Sequence, residues 1–177
     1  MEIEEYNEKI KKGVSLILKA DLILKECGFP NISQAGLLKE IMMAGILGHI
    51  VIIDKHLPDA YNPLNEEEKY EYLSCQSGKT FAIDGMFSRP VLDKEQSLTR
   101  ITRNKSFYCG IFEGFIPLEI WRVETNDFLK KTDEDLTRRD GPSAKQKNTE
   151  GRNINREHTM NYSIKWVKSV GKRVWRR

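Results

Sequence analysis

Residues 107–121, Phe107-Tyr108-Cys109-Gly110-Ile111-Phe112-Glu113-Gly114-Phe115-Ile116-Pro117-Leu118-Glu119-Ile120-Trp121, read as two β-strands around a tight turn. Aromatic and β-branched residues fill both arms, and Glu113-Gly114 between them is a hairpin signal. The same residue types extend the sheet reading to either side, so strands are predicted over 69–76, 80–87, 107–113 and 116–123. A short strand around residues 50–53 precedes them, and a last strand or helix begins near Tyr162. Residues 140–156, opening with Asp140-Gly141-Pro142, read as a flexible polar loop.

Upstream of the strands the periodicity is helical. Residues 2–28 form a long predicted helix in which Ile3, Ile10, Ile17 and Leu24 recur every seven positions. Tyr6, Gly13, Ala20 and Cys27 stand three further on, an a/d seam that suits pairing between subunits. Val14, Leu18 and Leu22 widen the stripe, so packing on the chain's own core is the competing use. Gly28 and Pro30 end the helix. A second helix follows Ser33, with Leu37, Leu38, Ile41, Met42 and Gly45 on one face, and Thr125 is placed to cap a helix over 126–137.

Composition sets the class. With 177 residues, 39% hydrophobic and 31% charged, the chain is expected to form one domain with a real core. Its most apolar stretch, residues 37–53, is broken by Lys39, Glu40 and His49, so no membrane span is expected. The acidic N-terminus has no signal-peptide character, and Cys27, Cys75 and Cys109 are too scattered for a disulfide framework or zinc site. A cytoplasmic location is the plain reading. Gly78-Lys79-Thr80 lacks the upstream glycine of a phosphate-binding loop, so no nucleotide cofactor is expected.

The net charge of +3 conceals a gradient. Residues 1–72 carry 8 basic and 13 acidic side chains, residues 73–144 carry 11 of each, and residues 145–177 carry 10 basic and 2 acidic. A basic block attracts polyanions, of which nucleic acid is the commonest. Trp166, Val167, Val170, Val174 and Trp175 interleave with those charges, which points to a packed segment rather than a solvated tail.

Two carboxylates stand out against this frame. Asp59 lies in His56-Leu57-Pro58-Asp59-Ala60, and Glu71 in the strand-like Tyr70-Glu71-Tyr72-Leu73-Ser74. Brought together at strand ends, such a pair offers the oxygen ligands that Mg²⁺ prefers. An ion so held activates a water against a phosphodiester. In a strand Lys69, Glu71 and Leu73 share one face and Tyr70, Tyr72 and Ser74 the other. His49, His56 and His158 are isolated, and Asp84 reads as a turn cap before Gly85.

These segments, in this order and spacing, are similar to a known family. The chain resembles the PvuII type of restriction endonuclease, in the PD-(D/E)xK nuclease superfamily, over most of its length. Pro58-Asp59-Ala60 and Tyr70 through Ser74 look like its catalytic segments, and Phe107 through Val123 is similar to its next hairpin. Leu37 through Gly45 resembles the helix before its catalytic strands. Asn153-Ile154-Asn155 and Ile164-Lys165-Trp166-Val167-Lys168 with Gly171 resemble its C-terminal recognition segment.

The resemblance implies an α+β fold of α/β/α layers, a restriction-endonuclease-like central mixed β-sheet flanked by helices. It divides one structural domain into an N-terminal dimerisation helix (1–28), a catalytic core (29–139) and a basic DNA-recognition segment (140–177). It implies a homodimer that cuts double-stranded DNA at a short palindrome with Mg²⁺, its two-fold axis matching that of the target. Asp59 and Glu71 carry over as metal ligands. In the C-terminal segment Asn153, Asn155, Arg156 and Lys165 are the candidate DNA contacts, with Asn155 suited to adenine; Ser88 and Arg89, where the chain departs from the family, are further candidates, Arg89 suited to guanine.

Three departures qualify the likeness. Leu73 stands where the family has a catalytic lysine; Lys69, on the same face, and Lys79, from the next turn, are candidate replacements. A second metal or a loss of cleavage are the other possibilities. Asp59 and Glu71 lie slightly further apart than the family pattern, and Phe87-Ser88-Arg89-Pro90 replaces its adjacent histidines. Two alternatives stand beside the restriction enzyme: a catalytically impaired DNA-binding protein on the same fold, and a structure-specific DNA nuclease.

Overall fold

The computed structural model describes residues 2–34, 36–54, 56–87, 94–139 and 158–177, and among these the side chains of 84–87, 94–97, 136–139 and 158 are not described. The chain divides into two compact units, residues 1–38 and 39–177. The first is dominated by α1 (Ile3–Glu26), which ends where Gly28 takes φ 90° and the amides of Cys27 and Gly28 turn back onto the last carbonyls. Ion pairs Glu5–Lys9, Glu8–Lys11 and Asp21–Lys25 run along it. None of its residues is buried; Ile3, Ile17 and Leu22 are 79%, 64% and 62% exposed. Among the described residues no helix is long and apolar enough to cross a membrane.

The second unit is built on the strands the sequence marks. After α2 (Leu37–Leu47) come β1 (Ile50–Val51), β2 (Ala60–Asn62), β3 (Asn65–Gln76) and β4 (Thr80–Phe87). Then follow α3 (Lys94–Thr102), β5 (Ser106–Glu113), β6 (Ile116–Glu124), α4 (Thr125–Arg139), β7 (His158–Ser163), α5 (Ile164–Val170) and β8 (Lys172–Arg176). Six strands form a mixed sheet in the order β1-β2-β3-β5-β6-β8, parallel only between β3 and β5. β4 leaves that sheet and pairs with β7. The class is therefore α+β, with a mixed central sheet and helices.

Alternation along β3 separates two cores. Tyr70 and Tyr72 join Met43, Ala44, Ala60, Tyr108, Phe112 and Ile120 on the α2 side. Leu73 and Cys75 join Phe81, Ile101, Phe107, Cys109, Phe128, Tyr162 and Val167 on the other. There Phe107 stacks on Phe128 at 4.1 Å, and the Tyr162 and Thr132 hydroxyls bond at 2.7 Å. Gly110 permits the close approach of α2: a Cβ there would collide with the Met43 side chain and with the Phe112 ring.

Several expectations shift. The buried residues of α2 are Leu37, Met43 and Ala44 rather than Met42 or Gly45, because the helix presents its 43/44 edge to the tyrosine face. Thr125 is itself the first residue of α4, and its hydroxyl donates to the Asn104 carbonyl at 2.6 Å instead of capping the helix. Helix α3 and strand β2 had no counterpart in the sequence reading. The basic C-terminal residues are part of the sheet, since β8 pairs with β6 through Ile120–Trp175 and Trp121–Arg173.

Gly110→Ala should destabilise the protein by about 1–3 kcal/mol through overpacking against Met43. Urea denaturation checks this, and an unchanged midpoint would show that Met43 yields freely.

Candidate functional site

The pairing of β2 with β3 builds the site. Ala60 faces Tyr70 and Tyr61 faces Lys69, so the register extended by one residue sets Asp59 opposite Glu71. Directly opposed residues in an antiparallel pair hold their Cβ atoms about 5 Å apart. Backbone hydrogen bonding does not continue there. Instead Asp59 Oδ2 accepts the Tyr72 amide at 2.7 Å, while the Asp59 carbonyl accepts the Ile52 amide of the loop after β1 at 2.8 Å. At the β2–β3 tip the register shifts and Leu64 stands 93% exposed.

The second wall comes from the end of α3. Arg103, still bonded through its amide to Thr99, sends its guanidinium to three acceptors. Nη1 donates to the His56 carbonyl at 2.7 Å; Nη2 donates to the Leu57 carbonyl at 3.2 Å and to Glu71 Oε2 at 3.3 Å. Buried Asn104 brings its Nδ2 within 3.5 Å of the same Glu71 oxygen while donating to the Arg100 carbonyl at 2.8 Å. The arginine thus ties the chain entering Asp59 to the side chain of Glu71.

One oxygen of each carboxylate is therefore engaged and one is not. Among the described residues Asp59 Oδ1 and Glu71 Oε1 make no hydrogen bond. Burial pushes the Asp59 carboxyl up to about 6, against the Tyr72 amide and the charges of Arg103 and Arg100. Glu71 is pushed up to about 7, first by burial and then by the charge of Asp59, with the same two arginines opposing. Two arginines do not fully compensate the desolvation of the two acids, so the pair gains from a further cation.

The donor set fits Mg²⁺, which takes oxygen from one or two carboxylates and keeps several waters. Among the described residues no group of three or more His, Cys, Asp or Glu gathers at one point, so protein ligation would come from this pair.

The remaining sequence candidates separate by position. Leu73 is buried in the apolar cluster beside Phe107 and Cys109, so the place of the expected lysine is core. Lys69 shares the Glu71 face, yet among the described residues its ammonium makes no ion pair with either acid. Lys79 lies in the turn beyond Gln76, five strand residues from Glu71, roughly 16 Å away. Lys165 is exposed on α5. Ser88, Arg89, Asn153, Asn155 and Arg156 lie outside the described residues, as does the Asp84 side chain.

The residues missed by the sequence reading are Arg100, Arg103 and Asn104. Their signal was Arg100-Ile101-Thr102-Arg103, two arginines one helical turn apart immediately before a strand. His49, expected to be structural, is half-buried behind the pair, its Nδ1 2.7 Å from the Tyr72 hydroxyl and its ring stacked on Tyr70 at 4.5 Å. Burial and the charge of Arg122 keep its pKa low.

Both acids retain protons in the folded state at pH values where the unfolded chain has released them. Metal-free stability should therefore fall as pH rises from about 4 to 7 and level off above. Asp59→Asn keeps an acceptor for the Tyr72 amide and removes the repulsion; it should stabilise the protein at pH 8 by on the order of 1–3 kcal/mol and flatten the pH dependence. Thermal melts in chelator at several pH values check this, and parallel curves for the two proteins would refute it. No family model matches the chain, and no curated protein matches it.

Proposed function

We propose that the chain is a Mg²⁺-dependent type II restriction endonuclease of the PvuII kind, hydrolysing double-stranded DNA at a short palindromic site. The observation that carries this reading is the cross-strand placement of a half-buried Asp59 and a buried Glu71, each with one oxygen unengaged. Asp59 and Glu71 would hold Mg²⁺, and the ion would supply a polarised water and charge neutralisation at the phosphodiester. The chain's own part is to hold the geometry. The Tyr72 amide orients Asp59, Arg103 and Asn104 orient Glu71, and the tyrosine face beneath them excludes water.

Two further features support the reading. Residues 158–177 carry Lys165, Lys168, Lys172, Arg173, Arg176 and Arg177 with no Asp or Glu, and they bring this charge onto α5 and the edge strand β8. Duplex DNA binds such surfaces with strong salt dependence. The apolar face of α1 suits a second copy of the chain, as a dimerisation helix in a restriction-endonuclease-like fold would. A cytoplasmic enzyme acting as a homodimer is the form in which both strands are cut.

The second reading is a DNA-binding protein that has lost cleavage, favoured by the burial of Leu73 where a lysine is expected. Plasmid DNA with Mg²⁺ separates the two: discrete reproducible fragments are expected, and retarded mobility without cutting would leave only the binding protein. Asp59→Ala should abolish cleavage and keep DNA binding; unchanged cleavage would remove Asp59 from the site. Sedimentation should show a dimer that Ile10→Glu with Ile17→Glu converts to monomer, and a monomeric parent chain would dispose of the α1 interface.

A further inference from the structure

The site has a cation, but not on β3. Leu73 closes the position two residues after Glu71 with apolar packing, and neither Lys69 nor Lys79 pairs with the acids. The guanidinium of Arg103 reaches Glu71, 3.3 Å from Oε2, and is anchored on two carbonyls of the segment entering Asp59, while the charge of Arg100 also acts on both acids. It arrives from a different element, the turn joining α3 to β5. Because β5 runs parallel beside β3 with Phe107 opposite Glu71, the residues just before β5 fall at the level of the acids.

The junction also carries unsatisfied polarity. Arg103 Nε and Asn104 Oδ1 are buried with no hydrogen-bond partner. Buried orphan atoms cost stability, and in native proteins they concentrate where something other than stability is served. A simple brace between two loops would not need a charge set against a glutamate at this cost.

We propose that Arg103 is the positioning cation of the carboxylate pair, supplying from the α3–β5 turn the positive charge that β3 lacks at Leu73. It occupies Glu71 Oε2 and so directs Oε1 toward the oxygen of Asp59 that is also unengaged. This rests on the Mg²⁺-nuclease reading and names a residue of that same site. Arginine's planar fork satisfies carbonyl and carboxylate acceptors together, while the charge itself is what the proposal requires and what a lysine would keep.

The test separates charge from bracing. Arg103→Gln and Arg103→Lys, checked for folding by circular dichroism, are titrated with Mg²⁺ alone by calorimetry and assayed for plasmid cleavage at saturating Mg²⁺. Losing a fixed cation beside the pair should leave Mg²⁺ affinity in Arg103→Gln equal or tighter, while cleavage slows roughly a hundredfold. Arg103→Lys should recover most of the cleavage. If affinity and cleavage fall together in Arg103→Gln and lysine restores neither, Arg103 is only a brace and the proposal fails. Wild-type cleavage in Arg103→Gln overturns it equally. Should Arg103→Gln not fold, Arg103→Lys decides: cleavage within tenfold of wild type supports the assignment, and loss matching Asp59→Ala overturns it. Failure of the underlying reading looks different, since the wild-type chain would then neither bind Mg²⁺ nor cut.

Discussion

The register of β2 against β3 is the constraint on which the rest of this molecule depends. Ala60 opposite Tyr70 and Tyr61 opposite Lys69 bring residues 59 and 71 face to face, although they are joined through a hairpin with an irregular tip. A slip of one residue would exchange the two faces of the strand, burying Glu71 in the cluster of Met43, Tyr108 and Phe112 and turning Tyr70 and Tyr72 into the other apolar core. Three contacts resist that slip: the Tyr72 amide on Asp59, the Asp59 carbonyl on Ile52, and Arg103 on the carbonyls of His56 and Leu57. His49 adds a fourth by engaging Tyr72 and Tyr70 from the opposite face.

Given that register, the central sheet works as a partition. One side is filled by α2, closely applied where Gly110 has no side chain, and by a cluster of tyrosines around His49. The other side is closed by α3, α4, β4 and β7 around Phe107, Phe128 and Tyr162. Leu73 belongs to this second core, which explains why no lysine stands there: an ammonium would lie among Phe107, Cys109 and Phe81 without a partner. The guanidinium that contacts Glu71 comes instead from the turn leading into β5, the strand parallel to β3. The proposed role of Arg103 is argued from that topology.

The first unit poses a different physical question. A helix of 24 residues with no buried side chain carries Ile3, Ile10, Val14, Ile17, Leu18 and Leu22 at half exposure or more. Exposed apolar surface of this kind is the basis of the proposed α1 pairing. The heptad spacing of Ile3, Ile10, Ile17 and Leu24 is the pattern of a helix that meets another helix. Within α1, ion pairs and a glycine-terminated end supply what local stability the segment has.

The strands β3 to β6, the hairpin at Glu113-Gly114 and the long first helix with its stop at Gly28 were legible in the residues themselves, whereas β2 was not. Each is a local property, written in alternation, in heptad spacing or in turn chemistry, and local properties survive in a linear reading. The α3 helix was not, because its short amphipathic pattern from Lys94 to Thr102 is weak beside the strong strand signals around it. Nor could spacing show that Arg103 lies on Glu71, 32 residues upstream, while Lys69, two residues away, does not pair with it. That outcome belongs to the tertiary structure alone. Which strands become neighbours, and whether they run parallel, is set by non-local packing of both sheet faces, and only that choice decides which distant charge a buried acid meets.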